Sequence, residues 1–67
     1  MKIILNDRDE YFDAEDLTVT ELLKSKNFTF KMLVIKINGN IIRNEMRDST
    51  TIRDGDNVTV LHLISGG

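Results

Sequence analysis

The stretch MLVIKINGNIIR, residues 32–43, sets the fold of this 67-residue chain. Its first half, residues 32–37, is apolar and β-branched, and this pattern predicts a strand. Asn38-Gly39 is a strong signal for a two-residue hairpin because both positions tolerate positive φ. Residues 40–43 then return as the next strand, so the middle of the chain is predicted to be a β-hairpin.

A capped helix is predicted upstream of this hairpin. Thr18 and Glu21 have the spacing of a capping box, in which each side chain accepts a hydrogen bond from the backbone N–H of the other residue. The apolar face of the helix comprises Val19, Leu22 and Leu23. We expect the helix to end near Asn27 and Phe28 to close over the core.

The opening of the chain is predicted to be another antiparallel hairpin. Residues 2–5 are apolar and β-branched, residues 6–9 supply turn chemistry, and residues 10–14 have the composition of a second strand.

The last third of the chain is predicted to end in a long strand. Residues 44–51 are polar and irregular, Ile52 is an isolated apolar anchor, and residues 53–56 form a turn before the strand at 57–64. This order most economically forms a mixed sheet of four to five strands with one helix packed on one face. The terminal strand then lies beside the first, which is the α+β arrangement called the ubiquitin-like or β-grasp fold.

The period of two along a strand separates the two faces of the predicted sheet. One parity directs Ile3, Leu5, Leu33, Ile35, Ile37, Val58 and Val60 toward the helix. The opposite parity places Ile4, Val34, Leu61 and Leu63 on the outer face. Exposed apolar patches tend to mark partner surfaces, so we predict that this second set docks another protein.

Composition excludes several classes of function. The chain has no cysteine, which removes disulfides, thiolate metal sites and cysteine nucleophiles. Its net charge of −2 comes from nine basic and eleven acidic residues that are interspersed, so no basic stripe for nucleic acid is expected. The longest apolar runs are too short to span a bilayer, and a cytoplasmic protein is the natural interpretation. His62 is the only histidine, and its parity favours a structural role.

The chain finishes in Ser65-Gly66-Gly67, directly after the last predicted strand. We expect one domain, residues 1–67, with a flexible tail at 65–67 whose end is the carboxylate of Gly67. Glycine has no Cβ, so this tail can thread a narrow tunnel, and it can extend about 10 Å toward a partner's active site. No nucleophile and base pair, phosphate loop or metal-ligand pattern is recognisable elsewhere, so catalysis is expected to belong to partners and the chain to hold no metal or cofactor.

Taken together, the segments resemble the ThiS family of sulfur carriers in thiamine biosynthesis. The resemblance covers essentially the whole chain and rests on the opening strand, the helix, two turns and the closing residues 60–67, namely MKIILN, TVTELL, ING, DGD and VLHLISGG. Two departures occur: no proline follows Asn40-Ile41-Ile42, and Ser65 stands where many relatives have glycine or alanine.

The resemblance implies a carried reagent instead of an enzyme. A ubiquitin-activating-type (ThiF-like) adenylating enzyme would use ATP and magnesium to activate the Gly67 carboxylate. A sulfur donor fed by a cysteine desulfurase would convert it to a thiocarboxylate for thiazole synthase (ThiG-like). The chain would be a monomer when free. Gly66 would give clearance, Ser65 and Ile64 the approach, and the docking surface would comprise Ile4, Val34, Leu61, Leu63 and Ile64.

Three other functions stay open at this point. A small subunit of molybdopterin synthase would share the fold and the thiocarboxylate and would differ in the large subunit that it binds. A ubiquitin-like modifier would form isopeptide bonds through Gly67, and these appear as conjugates of higher mass. A plain interaction module would need its sheet face but would tolerate loss of Gly66 and Gly67.

Overall fold

The computed structural model describes residues 1–28 and 32–62. Within these residues, five strands form one mixed sheet in the order β2-β1-β7-β4-β5, called here the main sheet, and β3 and β6 form a small sheet. The β1–β7 pair is parallel, and the other pairs are antiparallel. The elements are β1 (Lys2–Leu5), β2 (Arg8–Tyr11), β3 (Asp16–Thr18), α1 (Val19–Ser25), β4 (Leu33–Ile37), β5 (Asn40–Ile42), a 3₁₀-helix (Asn44–Met46), β6 (Thr51–Arg53) and β7 (Asn57–His62).

The predicted β-grasp architecture is confirmed. The terminal strand β7 lies between β1 and β4, with Leu5 beside Val58 and Ile35 opposite Val60. The residues predicted to face the helix are all buried, together with three residues of α1 and Ile52. This core consists of Ile3, Leu5, Val19, Leu22, Leu23, Leu33, Ile35, Ile37, Ile52, Val58 and Val60.

The helix is fixed at both ends by the residues that its sequence supplies. Thr18 N donates to Glu21 Oε1 at 2.9 Å, and Glu21 N donates to Thr18 Oγ1 at 3.1 Å, so the capping box is confirmed. The helix ends at Ser25, and Asn27 then adopts a positive φ of 57°. Phe28 N returns to Leu23 O at 2.8 Å, which is the bond of a Schellman motif, and Phe28 packs against the core as expected.

The central hairpin follows the prediction closely. Asn38 and Gly39 have φ values of 51° and 86°, and β4 pairs with β5 from Ile37↔Asn40 to Ile35↔Ile42. β4 begins at Leu33, one residue later than predicted. The turn is tied to β7, because Asn38 N donates to Asn57 O at 2.7 Å.

The opening hairpin is tighter than predicted. Only Asn6 and Asp7 form the turn, with φ values of 50° and 66°, so β2 begins at Arg8 instead of residue 10. The prediction of a strand through Ala14 was wrong, because β2 ends at Tyr11. Asn and Asp both tolerate the left-handed region, and two such residues suffice for a hairpin turn.

The small sheet was not predicted. β3 and β6 pair through Asp16↔Arg53, Leu17↔Ile52 and Thr18↔Thr51. Ile52 is fully buried, so the isolated apolar residue is the anchor of a strand. The segment between residues 44 and 50 also contributes to the helix start, since Val19 N donates to Thr50 O at 3.0 Å and Thr20 N donates to Arg47 O at 3.2 Å.

Candidate functional site

The candidate site comprises the end of β7 and the sheet face beside it. β7 is the central strand of the main sheet, and its described part ends at His62, opposite Leu33 of β4. The predicted tail residues Ser65, Gly66 and Gly67 and the predicted docking residues Leu63 and Ile64 lie outside the described residues. The strand that leads into these residues, β7, is itself anchored in the buried core.

The outer face of the sheet carries the remaining predicted docking residues. Val34 and Leu61 lie directly opposite each other across the β4–β7 pair. Leu61 is 47% exposed, whereas Val34 is half-buried. These two side chains are the part of the predicted docking surface that lies next to the end of β7.

Ile4 lies further along the same face. It is half-buried and beside Asn57, four positions before Leu61 on β7, which is about 13 Å at 3.3 Å per residue. Thr59 stands between them on the outer face, because residues two apart on a strand share a face. The structure thus brings Val34 and Leu61 together and leaves Ile4 at a distance, and the docking role of all three stays a prediction.

Two exposed hydrophobic residues on this face were missed by the sequence analysis. Ile41 is 65% exposed and lies opposite Lys36, and Tyr11 is 71% exposed and lies opposite Lys2. Both are on short strands at the sheet edges. Both residues lie within strands that the sequence predicted, at 10–14 and 40–43, so the alternation that was applied to the long strands would have found them had it been extended to these two edge strands.

Several charged groups of the described residues have structural partners. Lys2 lies 4.0 Å from Asp9, and Lys26 lies 3.0 Å from Glu10. The hydrogen bonds from the Thr18 backbone and side chain lower the pKa of Glu21 from its ordinary value. His62 is exposed and shares the face of its partner Leu33.

Residues 1–28 and 32–62 lack two features that mark other functional classes. No group of three or more histidine, cysteine, aspartate or glutamate side chains is placed to hold a metal ion. In the same part of the chain, no helix combines the length and apolar character needed to cross a membrane.

Comparison with known proteins agrees with this architecture. The model of a family described as the ThiS family matches residues 2–67. The chain is similar to the crystal structure of a thiamine biosynthesis protein (ThiS) from Geobacter metallireducens, with 35% identity, a TM-score of 0.90 and coverage of 100% of both chains. It is also similar to the NMR solution structure of a thiamine biosynthesis protein from the same organism, with 35% identity, a TM-score of 0.81 and coverage of 100% of this chain and 88% of that chain. No match was found among curated proteins.

Proposed function

This chain belongs to the ThiS family, and we propose that it is a sulfur carrier of thiamine biosynthesis that carries sulfur on the carboxyl group of Gly67. The observation that supports the proposal most strongly is the family match, which extends through residue 67. The match therefore includes the Gly66-Gly67 pair as well as the folded domain. The full-length similarity to a thiamine biosynthesis protein favours thiazole synthesis over the molybdopterin pathway.

The proposed chemistry begins with activation of a poor electrophile. The Gly67 carboxylate attacks the α-phosphorus of ATP in the active site of an adenylating partner, where magnesium assists, and pyrophosphate leaves. A persulfide supplied by a cysteine desulfurase then attacks the acyl-adenylate through its terminal sulfur and displaces AMP, which gives an acyl disulfide. A thiol cleaves the S–S bond of this acyl disulfide, is itself oxidised to a disulfide with the donor, and releases the sulfur on Gly67. The product is a thiocarboxylate, a nucleophile that delivers sulfur to thiazole synthase.

The folded domain would contribute recognition to this reaction. Leu61 is exposed and lies six residues before Gly67, and Val34 is its neighbour across the β4–β7 pair. An apolar pair close to the reactive terminus gives a partner a point of contact beside its own active site. We infer that Val34, Leu61 and the following Leu63 and Ile64 dock the adenylating enzyme, with Ile4 at the margin of the contact.

The experiment that tests the proposal is exchange of pyrophosphate into ATP by the purified adenylating enzyme in the presence of this chain. The full chain should support exchange, and a variant that lacks Gly66 and Gly67 should not, although its thermal melting should be unchanged. Exchange that survives the truncation would contradict the proposal.

A second experiment identifies the biosynthetic pathway in which the chain acts. The thiocarboxylate form is offered to thiazole synthase and to the large subunit of molybdopterin synthase, and binding to each is measured. Binding to thiazole synthase is expected. Binding to the molybdopterin enzyme alone would move the chain to that pathway, and appearance of lysine conjugates would identify a modifier.

A further inference from the structure

The β4–β7 pair extends beyond the strands on either side of it at the end where β7 finishes. In the described residues, β1 pairs with β7 as far as Leu5↔Val58, and β5 pairs with β4 as far as Ile35↔Ile42. The β4–β7 pairing continues to Val34↔Leu61 and Leu33↔His62. We call these last two residue pairs the stalk. It is a two-stranded ribbon that stands at the end of a wider sheet.

Asn6 binds β7 at the base of the stalk, on the side where β1 has ended. The chain leaves β1 at this residue, which has a φ of 50° and opens the turn to β2. Its backbone N–H donates to Val58 O at 3.0 Å, and its side-chain Oδ1 accepts from Val60 N at 2.8 Å. The side chain thus takes the place of the strand that has turned away and satisfies the N–H immediately before the stalk.

The other flank is fastened by Arg47. Its Nη2 donates to Leu33 O at 2.9 Å in a partly buried contact, where β5 has already ended. The Arg47 backbone is itself held, because its N–H donates to Asn44 O and its carbonyl accepts from Thr20 N, both at 3.2 Å. The guanidinium therefore links the stalk to the 3₁₀-helix and to the start of α1.

The Arg47 contact is not optimised for stability. Its Nε is buried and has no hydrogen-bond partner among residues 1–28 and 32–62. A buried donor that lacks a partner costs free energy, which reduces the gain from the bond to Leu33 O. The contact has a direct geometric effect. Arg47 binds β4 on one side of the β4–β7 pair, and Asn6 binds β7 on the other side.

We propose that Asn6 and Arg47 are positioning residues that hold the direction of the stalk, so that the segment after His62 is presented to the adenylating enzyme in one orientation. This inference rests on the proposed sulfur-carrier function. A two-stranded ribbon is marginally stable alone and twists more strongly than a wide sheet, so its direction depends on flanking contacts. A misplacement of about 1 Å at a reacting group can reduce a rate on the order of 100-fold.

The test compares Asn6→Ala and Arg47→Met with a matched control, Lys26→Met. The control removes the partly buried 3.0 Å ion pair to Glu10, which joins the end of α1 to β2 and involves no residue of the stalk. Steady-state kinetics of adenylation are measured with the chain as the varied substrate. The value of kcat should fall about tenfold in the two stalk variants, while KM changes little because the docking side chains are retained. Arg47→Lys keeps a donor for Leu33 O and should recover part of kcat.

Amide hydrogen exchange supplies a readout that does not depend on the partner. The amides of Val60 and Leu61 should exchange faster in both stalk variants, relative to the amides of β2, and should be unchanged in Lys26→Met. Equal kcat and equal exchange in stalk and control variants would overturn the positioning role. A wild-type chain that is never adenylated, but whose stalk amides still respond to the two substitutions, would overturn the proposed function and leave the anchoring by Asn6 and Arg47 supported.

Discussion

The two ends of the main sheet are fastened by different kinds of polar contact. At the end that carries the turns of residues 38–39 and 53–56, called here the turn end, side chains and backbone form a continuous network. Asn38 accepts from Asn57 N at 2.9 Å and donates to Asp56 Oδ1 at 3.1 Å, and Asp56 Oδ2 accepts from Arg53 N at 2.8 Å. This network locks the hairpin between β4 and β5 to the start of β7.

The opposite end, where β7 reaches His62, is bound on both flanks by side chains from outside the β4–β7 pair. There, Asn6 Oδ1 accepts from Val60 N and Arg47 Nη2 donates to Leu33 O. We therefore expect stability to depend more on the turn end and presentation of the terminus to depend more on the end at His62. Substitutions at the turn end should change the free energy of unfolding, and substitutions beyond the stalk should change function.

The largest effect is expected from one residue appended after Gly67. The added residue removes the glycine carboxylate that is proposed to react, so sulfur transfer should be lost. The free energy of unfolding should stay the same because the turn end and the core are untouched. Thiazole formation in a reconstituted system measures the first quantity, and urea denaturation measures the second. Retained thiazole formation would contradict the carrier role.

A smaller effect is expected from Leu61→Asp. The charge should weaken binding to the adenylating enzyme about tenfold, a typical consequence of losing one important interface side chain. Met46→Asp is the matched control, because Met46 is 48% exposed against 47% for Leu61 and lies on the 3₁₀-helix instead of the sheet. Calorimetric titration of the adenylating enzyme with each variant measures the two affinities. Equal affinities would show that the sheet face is not the docking surface.

At the turn end, Gly55→Ala should act on stability alone. Gly55 has a φ of 86°, and an added Cβ would meet no atom within 4 Å, so the cost is conformational and not steric. Placing an L-residue with a Cβ in this region costs about 1–2 kcal/mol. Urea denaturation should show that loss, and adenylation at a temperature where the variant is folded should match the wild type. A fall in the kcat of adenylation would contradict the expectation that the turn end affects stability alone.

The smallest effect concerns Glu21 and acid. The pKa of Glu21 in the folded chain is lowered from 4.5, first by its hydrogen bond with the Thr18 backbone and then by that with the Thr18 side chain. The unfolded chain therefore binds this proton more readily, and the associated stability is present above pH 4.5 and declines as the pH falls through the lowered pKa. Glu21→Gln keeps an acceptor for Thr18 N but removes the titration.

The measurement is the free energy of unfolding between neutral pH and pH 3. The Glu21→Gln variant should lose less stability than the wild type over the acid range. Glu15→Gln controls for the removal of one carboxylate outside the capping box. Identical acid profiles for Glu21→Gln and the wild type would refute this contribution.

The sequence predicts the elements whose signals are local. Thr18 and Glu21 specify the helix start within four residues, and Asn38-Gly39 specifies its hairpin within two, so both were found. The alternation along β4 and β7 likewise identified the buried face, because each strand is long enough to show its period. The order of these elements along the chain was then sufficient to predict the β-grasp architecture.

The elements that were missed depend on contacts between distant residues. The strands β3 and β6 have three residues each, and their pairing joins Leu17 to Ile52 across 35 positions. No period can be seen in three residues, so only the isolated apolar Ile52 gave a signal. The contacts of Asn6 and Arg47 with the stalk are also set by tertiary structure, since Asn6 reaches Val60 over 54 positions.

The most direct test of the account is the intact mass of the chain after incubation with ATP, magnesium, the adenylating enzyme and a sulfur source. The account predicts exchange of one oxygen for one sulfur, located by fragmentation at Gly67 and absent when ATP is omitted. An unchanged mass with an adenylating enzyme that is active on another ThiS protein would contradict the claim that this chain carries sulfur on its terminal glycine.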